Sequence, residues 1–203
     1  MKTTMACLAL TLACGCEVLK PTVAPHPKTY SLADARTTAP VVQRAATGAL
    51  TLIVNPPYAA AGFDSDHMIY VRQASQLEYF AHNQWVDTPA RMLAPLIVAA
   101  AEQSGAFRAV VPTPSTAAGD MRLDTEILRL QHEFLAAPSR VRFALRAYLV
   151  DTATRRVLAS REFEAVAIAP GENPHGGVVA ATQAVRTVLE ELAAFCAEAA
   201  RLR

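Results

Sequence analysis

Two neighbouring stretches decide the fold: "MRLDTEILRLQHEFL" (residues 121–135) and "RVRFALRAYLV" (residues 140–150). In the first, Met121, Leu123, Thr125 and Ile127 alternate with Arg122, Asp124 and Glu126, the period-2 signature of a strand with one face buried. The phase then slips. Leu128, Leu130, His132 and Phe134 continue the apolar series on the opposite parity. A one-residue slip would turn every later side chain to the wrong face, so the spacing predicts a bulge or strong twist near Ile127–Leu128. In the second stretch, Val141, Phe143, Leu145, Ala147 and Leu149 fall on one face, with Arg142, Arg146 and Tyr148 opposite. Asp151 to Thr154 reads as a turn, after which "RRVLASREFEAVAI" returns as a third strand. The three together predict an antiparallel meander.

Upstream, "TYSLAD" and "ALTLIVNP" (Ala49 to Pro56) read as strands. Met68 to Arg72 and Gln76 to Phe80 read as a hairpin across Gln73-Ala74-Ser75. A helix follows, capped by Asp87 or Thr88, with Pro89 in its first turn and Gly105 at its end. Met92, Leu93, Leu96, Ile97 and Ala100 share its apolar face, and Phe107 to Val111 adds a short strand. From about Gly177 a second helix carries a stripe of Val178, Ala181, Val185, Val188, Leu189, Leu192 and Phe195. Strands, helix, strands, helix imply a single α+β domain, an antiparallel-rich β-sheet packed against two main α-helices.

The N-terminal "MKTTMACLALTLACGCEVLKPTVAPHPK" follows different rules. Lys2 is the only charged side chain before Glu17, and Met5 to Ala13 is an apolar run of secretory length, too short to span a bilayer. It is similar to a bacterial lipoprotein signal, which implies that residues 1–15 are removed and that a diacylglycerol and an N-acyl chain are placed on Cys16. Cys14 is the rival acceptor. Ala13 and Gly15 at −3 and −1 favour Cys16, whereas Thr11 fits −3 of Cys14 poorly. Each buried CH₂ contributes about 0.8 kcal/mol, so two or more acyl chains anchor stably where one does not. Residues 16–28, with Pro21, Pro25 and Pro27, read as the lipidated cysteine and a tether reaching about 30 Å over ten residues. Residues 29–203 form the folded domain. Glu17 follows Cys16 where an aspartate commonly marks inner-membrane retention, so sorting to the outer membrane is expected. Cys196 is then the one remaining thiol, expected to be a small apolar group on the helix's buried side.

Composition and motifs narrow the function. Nineteen Lys and Arg against eighteen Asp and Glu, without a basic block, argue against nucleic-acid binding. No glycine-rich phosphate loop, G-x-S-x-G or H-E-x-x-H is present, and the five histidines share no ligand spacing. Asp64, Asp66 and His67 lie close together but read as a polar turn rather than a metal site, and no metal or other cofactor is expected. The chain is expected not to be an enzyme. Arg142 and Arg146 on the exposed sheet face are candidate partner contacts, although pairing with Glu126, Glu162 or Glu164 is the plainer reading. Tyr79, Phe80 and Trp85 form the aromatic cluster, with core packing weighed ahead of partner binding.

The stretch "GFDSDHMIYVRQASQLEYFAHNQWVDTPARMLAPLIVAAAEQSG" resembles the signature region of the auxiliary lipoproteins of ABC-type, MCE-domain lipid transporters, the PqiC-type family. Tyr70 and Arg72, then Leu77-Glu78-Tyr79-Phe80 and the Asn83-Gln84-Trp85 step into a helix, carry the resemblance. It continues through "DMRLDTEILRLQHEF" and "VRFALRAYLVDTATRRVLASREFE". It implies a periplasm-facing lipoprotein at the outer membrane that serves an MCE-domain protein and an ABC permease and ATPase. In that setting the domain is expected to be a docking or scaffold subunit, with self-assembly into a homo-oligomer open. The alternative is a lipid carrier with an apolar cavity.

Overall fold

The computed structural model describes residues 26–35 and 50–201. The signal segment 1–15, both candidate acyl-acceptor cysteines and most of the tether lie outside the described residues.

Strand β7 (Met121–Glu133) is the spine. At about 3.3 Å per residue its thirteen residues run about 40 Å, long enough to receive several shorter strands end to end along one edge. Three do so, all parallel to it. β2 (Leu50–Val54) lies beside Met121–Leu123, β3 (Tyr58–Ala59) beside Glu126–Ile127, and β4 (His67–Val71) beside His132–Glu133. The other edge of β7 carries β8 (Arg140–Asp151), which pairs in turn with β9 (Val157–Ile168), both antiparallel. The sheet is thus mixed, with its longest ladders antiparallel. β6 (Phe107–Pro112) extends it beyond β2, and β5 (Glu78–Trp85) followed by β1 (Lys28–Tyr30) extends it beyond β4.

The predicted phase slip is a real break in register. Ile127 faces Leu145 while Arg129 faces Ala144, so Leu128 is the extra residue. The bulge returns Leu130 and His132 to the inner face, where both are buried. Val141, Phe143, Leu145, Ala147 and Leu149 are buried as their spacing requires.

Helix α1 (Pro89–Gln103) is capped by Thr88, whose Oγ1 accepts from the Arg91 amide, while Asp87 accepts from the Thr88 amide at 2.8 Å. Helix α2 (Pro174–Ala200) starts three residues before Gly177. Asn173 accepts from the Gly176 amide at 2.9 Å, and Pro174 occupies the first helical position, where a missing N–H costs nothing. α2 packs on β8, β9 and α1, burying Ala181, Val185, Val188, Leu189, Leu192 and Phe195 against the sheet. Cys196 is fully buried in the same layer, and burial pushes its thiol up to about 12, so it acts as packing. Among the described residues both helices cover one face of the sheet, and none covers the other.

Candidate functional site

The open face of the meander is a ladder of alternating charge. Register places Glu126, Arg146 and Glu162 in one row across β7, β8 and β9. Arg146 donates to Glu126 at 3.0 Å and to Glu162 at 2.8 Å. Two rows away on the same face, Arg142 donates to Glu133 at 2.8 Å and also reaches Glu164. Glu133 is itself buried and takes a second bond from Gln131 at 2.9 Å. Burial alone would raise its pKa, but the bonds from Arg142 and Gln131 outweigh that and hold it below the usual carboxylate range. Arg142 and Arg146 are therefore each engaged on both sides by carboxylates of neighbouring strands. Glu126, Glu162 and Glu164 follow from the sequence alternation. Glu133 was missed there, though the phase slip holds the signal: once Leu130 and His132 turn inward, Gln131 and Glu133 must turn outward.

Where β4, β5 and the first turns of α2 meet, the aromatic residues gather. Tyr70 and Phe80 lie 4.5 Å apart by ring centroids, and His132 and Phe134 4.1 Å apart. Phe80 and His132 line a crevice with Met68, Trp85, Val141 and Gly177, enclosing about 10 Å³, room for about one water. His132 Nε2 sits 2.8 Å from Ser139 Oγ, while its Nδ1 is buried without a hydrogen-bond partner. Burial lowers the imidazole's pKa, with Glu172 opposing, so the ring is neutral at neutral pH. The ring packs so closely on α2 that a Cβ on Gly177 would stand 2.6 Å from Nδ1, which explains a glycine in the first turns of a long helix. Glu172 accepts from the Ser139 amide at 2.8 Å and ties the 134–139 loop to the start of α2.

The sequence-predicted aromatic residues separate by depth. Trp85 is buried in the core, so the partner contact offered for it is corrected to packing: it is the last residue of β5, beside Tyr30, and lines the crevice with Gly177 and Ala181 of α2. Phe80 is half-buried against Tyr70. Tyr79 is 60% exposed, on the other face of β5, with the His67 ring edge-on at 4.4 Å. His67 and Asp66 approach only to 3.9 Å at the surface. Among the described residues no cluster of His, Cys, Asp and Glu is arranged to hold a metal ion, and no helix is long and apolar enough to cross a membrane.

The sequence model of one family, "ABC-type transport auxiliary lipoprotein component", matches residues 30–193, the whole span from β1 into the last turns of α2. The chain belongs to that family. Its fold is similar to two solved structures. One is the protein XCC0632 from Xanthomonas campestris, of family DUF330, with TM-score 0.71 and 23% identity over 82% of this chain and 92% of that one. The other is described as an uncharacterized protein, with TM-score 0.63 and 13% identity over 83% of this chain and 97% of that one. At those identities the likeness is one of fold. A search of the curated proteins finds no match. Membership of the auxiliary lipoprotein family makes the chain an auxiliary component of ABC-type transport, membrane-anchored in the cell envelope.

Proposed function

We propose that this auxiliary lipoprotein is a non-catalytic docking subunit of an ABC-type system that moves lipids between the membranes of the envelope. In this reading acyl chains on Cys16 hold it at the outer membrane facing the periplasm. Its partners are an MCE-domain protein and the permease–ATPase pair that supplies the energy. Family membership across residues 30–193 is the observation that carries the reading. Two features of the structure support it. The charged face is satisfied within the chain, so it holds its shape without a ligand. The aromatic crevice has room for about one water, far below the several hundred Å³ of a small-molecule site, which disfavours it as an acyl-chain carrier site.

The test is purification of the acylated protein, at native level, from envelopes solubilised in mild detergent. An MCE-domain protein and an ABC permease should come with it, and a Cys16→Ala variant released into the periplasm should lose that association or its contribution to envelope integrity. Purification with phospholipid but without any transporter component would overturn docking in favour of carriage.

A further inference from the structure

The strands record the direction from which the chain enters the fold. β1 runs parallel to β5, with Lys28 beside Asn83 and Tyr30 beside Trp85, so residues preceding Lys28 lead back toward the Glu78 end of β5. A second observation agrees. The Tyr30 ring lies 6.4 Å from His175 in the first turn of α2, and four residues later the Asp34 carbonyl accepts from Arg186, further along the helix, at 2.8 Å. The chain thus runs along α2 from its N-terminal turn inward. The chain therefore enters β1 from the end of the sheet where β4 and β7 finish and β8 starts.

Four of the nine exposed large hydrophobic residues among the described residues lie at that end. Across it, register aligns Tyr70 with Glu78 and His132, and Glu133 with Arg140, which in turn faces Ile168. At or just beyond this row stand Leu77 (46% exposed), Tyr79 (60%), Leu135 (52%) and Ile168 (67%). They span five strands, about 20 Å at ordinary strand spacing. Leu77 packs against Gly62, where a Cβ would stand 3.1 Å from its Cδ1 and the positive φ of 90° would strain any side chain. Of the charged groups among them, Arg72 pairs with Glu78, and Glu133 with Arg142.

We infer that this end of the domain, bearing Leu77, Tyr79, Leu135 and Ile168, rests on the lipid surface to which the chain is anchored. The inference rests on the acyl anchor at Cys16. A tether of about 30 Å holds the domain at an effective concentration in the millimolar range, so a contact far too weak to recruit a free protein is enough to orient an anchored one. Leucine and isoleucine suit the acyl boundary, and tyrosine with its exposed hydroxyl suits the headgroup layer. Because the four side chains offered to the bilayer are uncharged, the contact should be little affected by salt. The ladder shares the open face from which Ile168 projects but lies further along the strands, and the Val157 end of β9 lies furthest from the lipid surface.

The experiment uses the full acylated chain in vesicles of phosphatidylethanolamine and phosphatidylglycerol. A fluorophore is placed on Leu77→Cys, Leu135→Cys or, at the opposite end of β9, Val157→Cys, while buried Cys196 stays unlabelled. Nitroxide-bearing lipid should quench positions 77 and 135 several-fold more than position 157, with aqueous iodide giving the reverse order in low and high salt. Equal quenching at the three positions in protein that floats with the vesicles overturns the orientation and leaves the anchor standing. Protein that does not float overturns the anchor and this inference with it. Shielding of 77 and 135 from iodide only when envelope proteins are added assigns the patch to a protein partner and also overturns it.

Discussion

The meander β7–β8–β9 and the hairpin β4–β5 belong to one sheet but are built by different means. In the meander, long strands pair with sequence neighbours, the inner side chains Leu123, Phe143 and Leu145 are wholly buried, and the outer ones neutralise each other in rows. In the hairpin, β4 meets β7 through two residue pairs and β5 meets β1 through three, and the register between β4 and β5 jumps between His67 and Ile69. The first region is held by area and regularity. The second is held by individual contacts, the Tyr70–Phe80 and His132–Phe134 rings and the Gly177 approach, and its outer side chains are left for something else to meet. Stability is thus concentrated in the meander, and the surface available for binding at the hairpin end.

Truncation at the centre of the meander sharpens that contrast most. Phe143→Ala, at a wholly buried position, is expected to cost about 3–5 kcal/mol in urea unfolding of the folded domain. Gly177→Ala acts at the joint between the regions: the added methyl overlaps His132, and about 1–3 kcal/mol should be lost. On the open face, Arg142→Leu leaves buried Glu133 with Gln131 as its hydrogen-bond partner and the charge of Arg140 opposite. Because Arg142 is a quarter exposed and water can enter, the loss should lie near the lower end of about 1–3 kcal/mol. Arg146→Leu should cost less, since both Glu126 and Glu162 reach solvent. Equal losses from the two arginine variants would contradict the ladder's asymmetry.

Much of the first region was legible in the sequence and much of the second was not. The alternation in residues 121–150, and the slip at Leu128, depend on neighbours in the chain, so they can be read from spacing. So can the arginine–glutamate pairs. The parallel docking of β2, β3 and β4 along one edge of β7 joins segments some seventy residues apart, and no local pattern encodes it. The burial of Trp85 and the packing of His132 on Gly177 follow from that docking, which is why an aromatic cluster read from the sequence divides into a buried Trp85 and an exposed Tyr79. The start of α2 was in plain view as Asn173-Pro174, a cap followed by the residue best suited to the first turn.

Acidification separates the two regions by pH. His132 binds its proton less readily folded than unfolded, so its contribution is complete above its ordinary pKa of 6.5 and is lost as pH falls below that value toward the lowered folded one. Between pH 7.5 and 5.5 the unfolding free energy should decline by at most about 1.4 kcal/mol per pH unit from this group, and His132→Phe should remove that part of the slope. Glu133, with its pKa held down, loses its contribution only in the window beginning below its ordinary 4.5. A decline in the histidine window that persists in His132→Phe would show that another group carries it. The smallest effect belongs to Tyr79→Ala: exposed, with only the surface ring of His67 against it, it should change stability by no more than about 0.5 kcal/mol while weakening the membrane contact of the hairpin end.

The account turns on a folded adhesive module tied to a membrane through the first residue of its mature chain. Incorporation of radiolabelled palmitate in growing cells, with envelope fractionation of the same samples, tests it most directly. Wild-type protein and a Cys14→Ala variant should take up label and sediment with the outer membrane, and Cys16→Ala should do neither. Unlabelled wild-type protein recovered in the soluble periplasmic fraction would contradict the account.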